Sequence, residues 1–197
     1  AGTLDNNVVL ANATPASHNF CPFKDANPDC PADERYKALG GIARSGLIAY
    51  VSPDGIRWRK LQDKPVFTEA GWAFDSQNVA FWSASEKQYV LYYRKVPENV
   101  RAIARSTSKD FRTWTKPEMM TYSDTNSSKP SHHLYVNQTH PYVRASHVYL
   151  GVAARFMPGR RVVTDAEADE IGVAKGYAGD CSDVVLLSTR GGSRYER

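Results

Sequence analysis

The sequence predicts an all-β protein, a β-propeller of four-stranded antiparallel blades of which about three are present. Three observations carry this reading. A strand–turn–aromatic motif recurs, a run of strand-forming residues precedes each copy, and an amide-rich segment returns at a nearly constant interval. A fixed period of tens of residues marks a repeat architecture.

The motif reads Ser52-Pro-Asp54-Gly55-Ile-Arg-Trp58, then Ser108-Lys-Asp110-Phe111-Arg-Thr-Trp114, then a degraded Ser188-Thr-Arg-Gly191-Gly-Ser-Arg-Tyr195. It follows β-rich runs at 47–51, 102–105 and 184–187. A strand, a tight Asp/Gly turn and a second strand opening on an aromatic make a hairpin. Central strands precede the hairpins at 36–41, 88–94 and 147–154. Earlier still come His18-Asn19-Phe20, Gln77-Asn78-Val79 and Asn137-Gln138-Thr139, read as first strands. Asn19 to Asn78 spans 59 residues and Asn78 to Gln138 spans 60.

Tandem four-stranded antiparallel units are propeller blades. They fall at 17–62, 74–120 and 132–197 of a single partial domain covering 1–197. The third unit is expected to stop where its fourth strand begins, and residues 6–10 read as a strand of a preceding blade. The one helical candidate is 164–175, an insertion between the second and third strands of the third unit. Closure takes at least about four blades, so open blade edges with unpaired backbone groups invite self-association.

Composition narrows the function classes. The chain has 197 residues, enough for a proper core, with 42% hydrophobic and 23% charged residues. The net charge of +4 is mild and spread out, which argues against a nucleic-acid partner. No apolar run approaches the roughly 18 residues of a membrane helix, so no membrane partner is expected. The expected location, secreted or periplasmic ahead of cytoplasmic, has no signal in the residues themselves. Cys21 and Cys30 enclose a short Pro/Asp loop and read as free thiols or a small disulfide; the absence of a Cys-x-x-Cys pair argues against structural zinc.

The Ser-x-Asp-Gly-x-x-Trp hairpins resemble those of five-bladed glycoside hydrolases of families 32 and 43, and more loosely the Asp-boxes of sialidases. The runs 18–25, 33–37 and 74–82 are similar to a bacterial group of uncharacterised glycosidases of that fold. The resemblance covers about residues 17–197. It implies five blades in the full fold and three carboxylates at the inner strand ends of successive blades.

Cleavage of a glycosidic bond takes two carboxyl groups. The acids next to the first strands are Asp25 and Asp75; the third unit has none there, and Asp183 is the nearest replacement. These are the catalytic candidates, with Asp75 foremost, each set against a plain turn or ion-pair role. The carbohydrate-binding candidates are His18, Asn19, Trp72, Gln77, Asn78, Asn137, Gln138, His140 and Arg155. The amides and His would hydrogen-bond sugar hydroxyls, Trp72 would stack on a sugar face, and Arg155 would meet a uronate or sulfate unless it sits in an ion pair. Four of the five His fall between His132 and His147, but their spacing matches no standard zinc motif. No metal site and no cofactor are expected, apart from room for a structural calcium ion in the channel. The expected function is glycoside hydrolysis of a poly- or oligosaccharide. The alternative, favoured by the missing third acid, is a non-catalytic propeller fragment that binds carbohydrate or protein.

Overall fold

The computed structural model describes residues 6–174 and 176–197. The chain is all-β. Strands β1 (Cys21–Lys24), β2 (Tyr36–Ile42), β3 (Gly46–Ser52) and β4 (Arg59–Lys60) form an antiparallel sheet in chain order. Strands β5 (Val79–Ser83), β6 (Gln88–Lys95), β7 (Ala102–Ser108) and β8 (Glu118–Met119) form a second sheet of the same order. After the short β9 (Thr121–Tyr122), a third antiparallel sheet is made by β10 (His133–Tyr142), β11 (Ala145–Met157) and β12 (Cys181–Thr189).

Three local expectations are corrected. The third unit does begin a fourth strand: Glu196 exchanges both backbone hydrogen bonds with Ser188, and β13 (Arg194–Tyr195) pairs in parallel with β9. Residues 6–10 form no strand; Leu10 instead packs with Phe20 and Trp58 on the outer face of the first sheet, over Ala38 and Tyr50. His18 and Asn19 precede β1, in and just after a single turn of 3-10 helix, because the Asn19 side chain takes the backbone partners that a strand would use. The helix α1 (Asp165–Glu170) lies where expected and starts on a capping box between Thr164 and Glu167; the far end of that candidate, Lys175, lies outside the described residues.

The turns follow from their residues. In the first hairpin the Asp54 carboxylate accepts from the backbone N–H groups of Ile56 (2.9 Å) and Arg57 (2.8 Å), and Ser52 Oγ accepts from Gly55 N–H (2.9 Å). The second repeats this: Asp110 accepts from Arg112 (2.8 Å) and Thr113 (2.7 Å), and Ser108 Oγ from Phe111 (2.9 Å). The residue after Asp is left-handed in both, Gly55 at φ 78° and Phe111 at φ 63°. Glycine adopts this freely. Phe111 is held there because its ring is fully buried against Phe23, Tyr89 and Trp114.

Strands β2, β3 and β6 are buried almost continuously rather than in alternation, the pattern of strands covered on both faces by neighbouring elements. Leu39, Leu47, Ala49 and Val51 of the first sheet meet Leu91, Tyr93 and Ala104 of the second. Phe81, Val90, Tyr92 and Ile103 of the second meet Leu134, Tyr149, Ala153 and Leu187 of the third. The far face of the third sheet is bare, exposing Val152, Val184 and Leu186.

The registers give every sheet two distinct ends. At the leading end the first strand begins, the second finishes and the third begins, as at Cys21, Ile42 and Gly46. At the turn end lie the Ser52 and Ser108 hairpins. Contacts between sheets join like to like. At the turn end the Tyr89 hydroxyl of β6 donates to Asp25 Oδ2 (2.7 Å), and Asp25 is ion-paired with Lys37 of β2 at 2.8 Å. The side chains of Asp25 and Lys37 are 0% and 2% exposed. The second interface repeats the device: the Tyr149 hydroxyl of β11 donates to Glu86 Oε1 (2.7 Å), and Glu86 is ion-paired with Arg105. Burial pushes the Glu86 carboxyl up, and the Tyr149 hydroxyl and Arg105 guanidinium more than offset this, holding it below its ordinary range.

Removing one partner of a buried ion pair leaves an uncompensated charge. Asp25→Asn is therefore expected to lower folding stability by about 3–5 kcal/mol, read as a lower urea midpoint; an unchanged midpoint would contradict this role for Asp25.

Candidate functional site

The leading end carries the exposed chemistry. Its centre is the loop between β4 and β5. Phe74 adopts a left-handed backbone (φ 66°) and its ring is fully buried against Phe67 and Tyr93. Its carbonyl accepts from the Asn19 amide at 2.5 Å, the Asn78 amide at 3.2 Å and the Ser76 N–H at 2.7 Å. This tightly held bend turns the next residue, Asp75, outward. Such an outlier costs on the order of 1–3 kcal/mol and persists where its surroundings over-determine it.

Both oxygens of the half-exposed Asp75 carboxylate are engaged. Oδ2 accepts from Arg94 Nη2 at 3.0 Å, and Oδ1 lies 3.2 Å from His18 Nε2. Arg94, on β6, is buried; it also donates to the Asp75 backbone carbonyl and, at 3.2 Å, to that of Tyr135 on β10. The carboxylate is thus fixed from behind and open in front. It lines a cleft of about 840 Å³ together with His18, Arg44, Glu69 and Trp72, within the range of small-molecule sites. Glu69 is held by Lys95 in an ion pair and by the Tyr93 hydroxyl, which donates at 3.1 Å. Trp72 follows Gly71 on the rim and is 76% exposed. Among the described residues no three His, Cys, Asp or Glu side chains converge as a metal site.

The structure sorts the sequence candidates by end. Asp75, His18 and Trp72 line the cleft, and Gln77, two residues on from Asp75, is exposed but outside its lining. Asp183, at the start of β12, is on the leading end too, but it is bound by Arg155 of β11, whose Nε donates to Oδ1 at 2.6 Å. That guanidinium holds the Asp183 carboxyl below its usual range. Asp25 is corrected: it follows the last residue of β1 at the turn end and is buried in the ion pair with Lys37, where no substrate reaches it. Asn19, Asn78 and Asn137 serve the scaffold. Asn19 clasps Gly41 of β2 through both ends of its side-chain amide, Nδ2 donating to the Gly41 carbonyl and Oδ1 accepting from the Gly41 N–H, and Asn78 donates to the Phe74 and Ser76 carbonyls. Asn137 is buried and accepts from Thr139 at 2.7 Å. Gln138 is half-buried on the opposite face of β10, and His140 lies further towards the turn end, its ring 5.7 Å from that of Phe81.

Sequence reasoning missed Glu69 and Arg94. Glu69 lies in a loop with no pattern to mark it. Arg94 did leave a signal: a charged residue closing an otherwise apolar central strand must find a partner where it is buried. The three cysteines are free, and burial pushes the Cys21 thiol up to about 11.

No model of a known protein family matches the chain, and no curated protein sequence matches it. A solved structure does: an N-acetylgalactosamine deacetylase from F. plautii, in complex with blood group B trisaccharide, superposes with a TM-score of 0.53 at 15% identity. The match covers 92% of this chain and 52% of that one, so the chain spans about half the length of that structure. At this identity the likeness concerns the fold alone.

Trp72 is the most exposed of the tryptophans, the other three being half-buried. Trp72→Phe is expected to remove the red-shifted, acrylamide-quenchable part of the fluorescence while moving stability by no more than about 0.5 kcal/mol. Unchanged quenching would mean that the rim is closed.

Proposed function

We propose that this chain is part of a carbohydrate-active protein and that the cleft at its leading end hydrolyses a bond at a sugar, with Asp75 as the acting carboxylate. The observation that carries the reading is Asp75 itself: half-exposed at the cleft, both oxygens oriented by Arg94 and His18, beside an exposed Trp72. Positioning of this kind is what lets a reacting group act without first being ordered. The carbohydrate-modifying neighbour supports the substrate class. The three sheets, with matched ends and a shared strand order, are read as three consecutive blades of a five-bladed propeller.

For a glycosidic bond, the two carboxyl groups are Asp75 and Glu69, which line one cleft. Asp75, directly or through His18, takes a proton from the attacking water, and the departing oxygen takes a proton from Glu69, which must leave its ion pair with Lys95 to carry one. The paired His18 and Asp75 also support a second reading, removal of an acyl group from a sugar: a carboxylate orienting a histidine base is the arrangement that activates water at a carbonyl, and the structural neighbour is a deacetylase.

A panel of neutral, acetylated and acidic glycans separates these readings, with reducing-end formation reporting glycoside cleavage and free acetate reporting deacylation. Asp75→Asn is expected to reduce turnover by about 100-fold or more in a variant that still folds, with a lowered urea midpoint because the buried Arg94 loses its counter-charge. Full turnover by the folded variant would exclude Asp75 from the chemistry; binding without turnover of any glycan by the wild-type chain would reduce the proposal to a binding site.

A further inference from the structure

One ring away from Asp75, on the same end of the molecule, stands a cation with no acidic partner among the described residues. The Tyr135 ring on β10 lies under two guanidinium groups, with Arg94 Cζ and Arg101 Cζ each 4.9 Å from its centroid. Arg94 is neutralised by Asp75. Arg101, just before β7, stacks a second time on Phe156 of β11 at 5.5 Å, and its Nη1 lies 3.3 Å from His133 Nδ1. Among the described residues no carboxylate lies within ion-pair distance of Arg101. A guanidinium in contact with two aromatic rings is partly ordered beforehand and loses less entropy when it meets a planar anion.

The neighbouring groups agree. His133 Nδ1 also accepts from the Arg101 backbone N–H at 3.4 Å, which assigns the ring proton to Nε2 and leaves that N–H as a donor. Burial, and then the Arg101 charge, hold the His133 imidazole below its usual pKa. Tyr135 is 43% exposed beside the cation.

We infer that Arg101, with His133 and Tyr135, forms a subsite for the anionic substituent of an acidic sugar, a uronate carboxylate or a sulfate ester, adjoining the Asp75 cleft. This rests on the carbohydrate reading above. Charge-assisted, bidentate hydrogen bonds of this kind are the strong ones, and a partly exposed cation makes the preference dependent on ionic strength.

The test is binding of three oligosaccharides of matched length, a neutral galacto-oligosaccharide, an oligogalacturonate and a sulfated galacto-oligosaccharide, followed by calorimetry at low and high salt. The wild-type chain is expected to bind at least one acidic oligosaccharide about 10-fold more tightly than the neutral one at low salt, and comparison of the two acidic arms tells carboxylate from sulfate. Arg101→Gln is expected to bring the acidic-to-neutral ratio to about one, whereas Arg101→Lys, which keeps the charge, retains part of it. Neutral binding with no gain for either acidic ligand, or a full preference in Arg101→Gln, overturns this inference and leaves the carbohydrate reading standing. Failure to bind any of the three, in a panel extended to other neutral glycans, overturns the carbohydrate reading and this inference with it.

Discussion

A buried ion pair sets the frame of this molecule. Asp25 and Lys37 have almost no access to solvent and sit 2.8 Å apart at the boundary between the first two sheets, with the Tyr89 hydroxyl completing the acid's coordination from the second. Two charges out of water are costly unless geometry and hydrogen bonds repay them, so the sheets cannot slide or turn relative to one another without exposing a large penalty. Glu86, Arg105 and Tyr149 impose the same condition on the next boundary. With the turn ends pinned in this way, the leading ends of all three sheets are brought to one side.

The candidate site is a consequence of that alignment. Loops that leave the leading end converge, and the strained Phe74 backbone is braced by amides from Asn19 and Asn78. Arg94 reaches through from β6 to hold Asp75 from behind and touches Tyr135 on the next sheet. The scaffold residues that sequence reasoning marked as ligand-binding amides are therefore indirect contributors: they fix the bend that presents the carboxylate. The acids divide the same way. At the turn end Asp54 and Asp110 close hairpins and Asp25 and Glu86 neutralise buried cations, whereas at the leading end Asp75 is half-exposed.

How much of this was legible in the sequence depends on the range of the interaction. The hairpins were readable because Ser52, Asp54 and Gly55 satisfy their own turn within a few residues, and the central strands because their apolar runs are long. The boundary of the first strand was misread because Asn19 bonds to Gly41 and Phe74, partners 22 and 55 residues away. For the same reason Asp25 read as a catalytic candidate or a plain turn acid in a Pro/Asp loop: nothing local reveals that Lys37 and Tyr89 fold over it. Asp75 was singled out from its place before a strand, while its partners Arg94 and His18 and its cleft neighbour Glu69 became visible only once the sheets were assembled. Phe111 shows the converse case, where burial of a ring outweighs the local preference for glycine.

The most direct test of the account is a crystal structure of the chain soaked with an oligosaccharide that it binds in solution. The account predicts density at the leading end, with a sugar ring over Trp72 and hydroxyl or bridging oxygens within hydrogen-bond reach of Asp75. Sugar density confined to the turn end, around the Ser52 and Ser108 hairpins, with an empty cleft at Asp75, would contradict it.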